Sequence, residues 1–89
     1  MNITVTRSGG LGGLIRRASV DTGGRGDAAA WQELVRRARL DAAPAYRPAP
    51  DRYVYDIEVD GRSYRVGEAD LGGPMAELVD RVLAEGGRS

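Results

Sequence analysis

Glu68 and Asp70, the pair Asp51-Arg52, and the run Arg7-Ser8-Gly9-Gly10-Leu11-Gly12-Gly13 are the residues whose types and spacing invite a functional role. Paired carboxylates can act as general acid and base or supply two ligands to a metal. Neither use is complete in this chain. Its 89 residues include no histidine and no cysteine, which removes the commonest general base, the commonest metal ligand and the thiolate nucleophile. Two carboxylates alone do not make an independent metal site, so the chain is expected to hold no metal and no cofactor. A glycine-rich run can cradle a phosphate, but no lysine and no helix start follows this one where a phosphate loop requires them. Catalysis from carboxylates or serine alone is the remaining enzymatic option. A binding role stands ahead of it, because glycines let the backbone approach a partner closely and Leu11 offers one large apolar side chain among them.

Charge points the same way. Thirteen acidic residues balance thirteen basic ones, all arginine. Without a basic excess or stripe, a nucleic-acid partner is not expected. No apolar run is long enough to span a bilayer, and "MNITVTRSGG" lacks the charged start and apolar stretch of a signal peptide. The expectation is therefore a cytoplasmic protein with no membrane contact, monomeric when free. The length suits one domain, residues 1–89, with one modest core.

The elements that must position these residues follow from hydrophobic period. "NITVTR" alternates, with Ile3 and Val5 on one face, as a half-covered strand does. "LIRRASVD" reads as its hairpin partner, with Leu14, Ala18 and Val20 sharing a face on which Arg16 also falls. Asp27 is placed to cap a helix that carries Trp31, Leu34, Val35 and Ala38 on one side. Glu33 and Arg37 are spaced to pair on its exposed side. Three prolines forbid that helix from continuing through "DAAPAYRPAPD". "RYVYDIEV" and "RSYRV" flank Asp60-Gly61, a strong two-residue hairpin turn. Asp56, Glu58 and Arg65 face outward, where cross-strand ion pairs are expected. Pro74 opens a second helix bearing Met75, Leu78, Val79, Val82 and Leu83, with Glu77 and Arg81 four residues apart. The order ββαββα predicts an α+β domain: a four-stranded antiparallel sheet with two helices on its apolar face and Trp31 as the core anchor.

Strand directions then place the loops. If the first strand runs up, the glycine run lies at the top. The second strand runs down, the first helix runs up, and linker 41–51 is also at the top. The third strand descends to Asp60-Gly61 and the fourth rises into residues 67–73. Three irregular segments are thus expected at one end of a rigid scaffold, where binding residues usually sit.

In this order, "ITVTRSGG", the following "GL", "SVDT", "PDRYVYDIEVDG" and "GEADL" resemble the emfourin, or protealysin-inhibitor, family. The resemblance is strongest over residues 3–22 and 50–71 and weak in the first helix. It departs from the family pattern where Leu11 and Ala18 replace positions often aromatic, and where the link before the first helix is short. The resemblance implies a proteinaceous inhibitor, not an enzyme, whose partner is a thermolysin-like zinc metalloprotease. Such proteases favour a bulky apolar side chain just after the scissile bond, a pocket Leu11 could fill. Under that reading Gly9, Gly10, Gly12 and Gly13 shape the loop, and Arg7, Ser8, Arg52 and Glu68 support the contact. Glu68 could approach the protease zinc; the simpler expectation is that it favours the start of the second helix or pairs with Arg52 or Arg7. A non-inhibitory interaction or accessory module is the alternative.

Overall fold

A computed structural model describes residues 1–10 and 12–87. Its elements are β1 (Asn2–Gly9), β2 (Arg16–Asp21), α1 (Ala28–Ala38), β3 (Tyr53–Val59), β4 (Arg62–Gly67) and α2 (Gly73–Glu85), with single 3-10 turns at Leu40–Ala42 and Glu68–Asp70. The strands form one sheet in the order β2-β1-β3-β4, antiparallel at every step. This is the expected ββαββα fold. Alternation puts Ile3, Val5, Ala18, Val20, Ile57 and Val66 on the covered face, where they meet Trp31 and Leu34 of α1 and Leu78, Val79 and Val82 of α2. The opposite face is polar, and there Asp56 pairs with Arg65 across the hairpin at 2.9 Å. Asp60 and Gly61 both take left-handed backbone, as a two-residue turn requires. Among the described residues no helix is long and apolar enough to cross a membrane.

Two features differ from the sequence expectation. First, β2 begins at Arg16, and Leu14 lies outside it, 81% exposed. The pairing of β1 with β2 stops at Arg7 opposite Arg16, while Ser8 and Gly9 continue against β3 alone. Leu14 therefore has no strand to lie in. Arg16, the charged intruder on the core-side register, reaches over the rim and donates to the Leu83 carbonyl in the last turn of α2, an acceptor the helix itself leaves unused.

Second, α1 does not run up. It lies antiparallel to α2, with Arg37 3.3 Å from Glu77 at one end and Asp27 4.0 Å from Arg81 at the other. Its C-terminal residues, with Leu40 and Asp41, border a depression shared with Val59, Asp60 and Arg62, at the hairpin-turn end of the sheet. The linker makes the climb instead. Tyr46 packs beside Gly67 at 3.7 Å from the position a β-carbon would take there, and the Arg65 guanidinium lies 5.7 Å from its ring.

The ion pairs also redistribute. Glu33 pairs with Arg36 instead of Arg37, and Arg81 with Glu85 instead of Glu77, because Arg37 and Glu77 find each other across the helix interface. Asp27 occupies the N-cap position without a side-chain cap. Its carboxylate accepts from Arg25 (3.0 Å) and from the indole N–H of Trp31 (3.1 Å). Burial pushes the Asp27 carboxyl up, but the hydrogen bonds from Arg25 and Trp31 outweigh it and hold it below the ordinary value. A carboxyl lowered by folding adds stability above its unfolded value and loses it as pH falls through the folded one. Thermal stability is therefore expected to drop on acidification below about pH 4, and Asp27→Asn to flatten that limb of a midpoint-against-pH profile.

Candidate functional site

The end of the sheet opposite the Asp60-Gly61 turn gathers stretches far apart in sequence. At Gly9 and Gly10 the chain leaves β1 with φ of +85° and +71°, a region side chains other than glycine rarely adopt. A β-carbon on Gly9 would stand 2.8 Å from the Arg52 carbonyl oxygen, and one on Gly10 2.7 Å from the Tyr53 ring. These two glycines are thus the price of laying the glycine run directly on the start of β3. The Gly10 N–H donates to the Arg52 carbonyl at 3.1 Å. Gly12 and Gly13 are also left-handed and are exposed, with no heavy atom near the position of a β-carbon.

Glu68 ties in the third stretch. One carboxylate oxygen accepts from the Tyr53 backbone N–H at 3.0 Å, and the other lies 3.5 Å from the Arg52 guanidinium. Pairing with Arg52 was one of the simpler expectations for Glu68, beside pairing with Arg7 or favouring the start of the second helix. Its two oxygens are engaged within the chain, and among the described residues no group of three acidic side chains converges as a metal site would require. On the helix side, Arg7 lies 4.6 Å from the Tyr53 ring centroid, a cation–π contact. Tyr53 meets Tyr55 edge-on at 6.4 Å. Burial raises the Tyr55 hydroxyl above its ordinary value of 10, and the nearby Arg7 offsets part of that rise. Ser8 pairs with Val54 in register.

Beside this junction lies a cleft of about 290 Å³ bordered by Tyr46, Arg47, Pro48 and Ala49 of the linker, by Arg52, Tyr53 and Val54, and by Gly67–Asp70. Across the sheet the rim therefore runs from the exposed Leu14 and Ile15 at β2, over the glycine turn at β1 and the Arg52-Tyr53 corner at β3, to the cleft at β4. Three strand spacings make it about 14 Å wide.

The rim brings together Arg7, Ser8, Gly9, Gly10, Arg52 and Glu68. Leu11, the anchor suggested by the sequence, lies outside the described residues. Sequence reasoning missed Leu14 and Ile15, which it assigned to a strand, and Tyr46, which it left in a proline-rich linker. Two adjacent branched aliphatics followed by two arginines break strand alternation, and that irregularity was the available signal.

The sequence model of the Emfourin family matches residues 5–83. No curated protein and no solved structure matches the chain. The matched span runs from within β1 to within α2 and so takes in both hairpins, α1, the linker and the whole rim. On that match, over nearly its full length, the chain belongs to the emfourin family.

Proposed function

We propose that this protein inhibits a thermolysin-like zinc metalloprotease of the protealysin type by laying its rim across the active-site cleft. Family membership supports the class of partner. The single observation that carries the mechanism is the set of bonds joining the glycine turn, the end of the linker and the start of the segment after β4: Gly10 to Arg52, Tyr53 to Glu68, and Arg52 to Glu68. An inhibitor of this kind performs no chemistry. Association costs orientational freedom and side-chain ordering, and a surface fixed before contact loses less of both. A few buried anchors then supply most of the affinity.

Glu68 braces the rim. Its carboxylate oxygens already serve Tyr53 and Arg52, so the proposed block is steric cover of the zinc and not ligation of it. Titrating the purified chain against a protealysin-type protease, with peptide hydrolysis as the readout, tests the proposal. Saturable inhibition with the chain recovered intact is expected. Full protease activity in excess chain would defeat it.

A further inference from the structure

We propose that Leu14 and Ile15 are the anchor side chains of the docking face, and that they fit a two-walled apolar groove in the partner. This rests on the inhibitor reading above, in which that groove is the protease's substrate cleft.

Among the described residues, these are the large apolar side chains left exposed, at 81% and 72%. The others that belong to strands and helices are buried in the core or packed against it, apart from the half-buried Val54 of β3 at the edge of the cleft. Exposing two branched aliphatics side by side is unfavourable in water, and the fold does nothing to cover them. Bonds flank them along the chain. The chain before them is fixed at Gly10 on the Arg52 carbonyl. The chain after them enters β2 at Arg16, whose guanidinium is bound to the Leu83 carbonyl. Ile15 directly precedes that bonded arginine, and an anchor beside a fixed point loses less freedom when it docks.

The shape of the pair selects the partner. Ile15 borders a shallow depression with Leu83, Ala84 and Gly86, and Leu14 does not. The two side chains thus do not share that depression. Covering side chains that stand this far out of the surface takes a groove with two walls, which a substrate cleft has and a flat surface lacks. A second copy of this chain fits poorly. Two side chains supply far less than the roughly 1,200 Å² of a stable interface. A twofold contact there would also bring Arg16 and Arg17, which follow the pair directly, toward their own copies.

The test compares inhibition constants and thermal midpoints for the parent, Leu14→Ala, Ile15→Ala and Leu14→Asp, with Leu11→Ala alongside. Leu14→Ala and Ile15→Ala are each expected to raise the inhibition constant about tenfold or more, and Leu14→Asp further, all with the parent's thermal midpoint. If the parent inhibits and both alanine variants match it, the anchors lie elsewhere and this inference falls while the inhibitor reading stands. Loss carried by Leu11→Ala alone has the same meaning. A fall in thermal midpoint parallel to the loss of inhibition overturns it too, since the pair would then be structural. A parent that inhibits no such protease overturns both readings, and the parent titration alone shows it. Sedimentation that finds a dimer dissolved by Leu14→Asp also contradicts the proposal, because a second copy would then be the occupant.

Discussion

Trp31→Ala is expected to lower the unfolding free energy by about 3–5 kcal/mol, a large share of the total for a domain of this size. Trp31 is 0% exposed and is the largest of the fully buried side chains. With Leu34 and Ala38 it forms the buried stripe through which α1 holds the core. The substitution removes more than volume. The indole N–H donates to Asp27, and the guanidinium groups of Arg81 and Arg25 lie 4.5 and 5.7 Å from the ring. Those charges lose an aromatic surface, and the Asp27 carboxylate loses one of the donors that hold its pKa down. Chemical denaturation should show the full loss, and the thermal midpoint should fall by more than about 10 °C. A midpoint close to the parent's would mean that α1 is held by something other than this stripe.

Gly9→Val is expected to damage inhibition more than stability. At φ of +85° a β-branched residue is strained, at a cost of about 1–3 kcal/mol. The added atoms also have nowhere to go. The first of them would lie 2.8 Å from the Arg52 carbonyl oxygen, a backbone atom that also receives the Gly10 N–H. Relief requires the end of β1 to swing away from β3, which separates the glycine turn from the Arg52-Tyr53 corner. The core below, at Val5 opposite Ile57, is four pairings removed from Gly9 and stays closed. The domain should therefore still unfold cooperatively, while the inhibition constant rises about tenfold or more as preorganisation is lost. A variant with parent-like inhibition would show that the junction of β1 and β3 does not shape the docking face.

Most of the fold was legible because its signals are local. The alternation of Ile3 and Val5, the Asp60-Gly61 turn and the helical spacing of Trp31, Leu34 and Ala38 each need only a short window of sequence. The path of α1 was not legible, since the crossing of a helix over a sheet is set by contacts such as Arg37 with Glu77 and Asp27 with Arg81, which no spacing predicts. Leu14 was misread for a related reason. Its register with Ala18 and Val20 is correct for a strand, but β1 exchanges two partners for one at Ser8, and that exchange leaves Leu14 unpaired. Surface arginines chose partners of similar energy, and exposed pairs of this kind are worth too little for sequence alone to rank them. The gathering of the rim was anticipated from strand directions, although linker 43–52 reaches it by climbing past Tyr46 and not by following α1 upward.

If the protein inhibits as proposed, the rim, and no other face, meets the protease. Amide hydrogen exchange of the chain, free and bound to a protealysin-type protease, measures this directly. Added protection on binding is expected at residues 12–15, at Arg52 and Tyr53 and at 67–70, with the Asp60-Gly61 turn and the polar face around Asp56 and Arg65 unchanged. Protection centred on that turn or that face, with the rim unchanged, would contradict it.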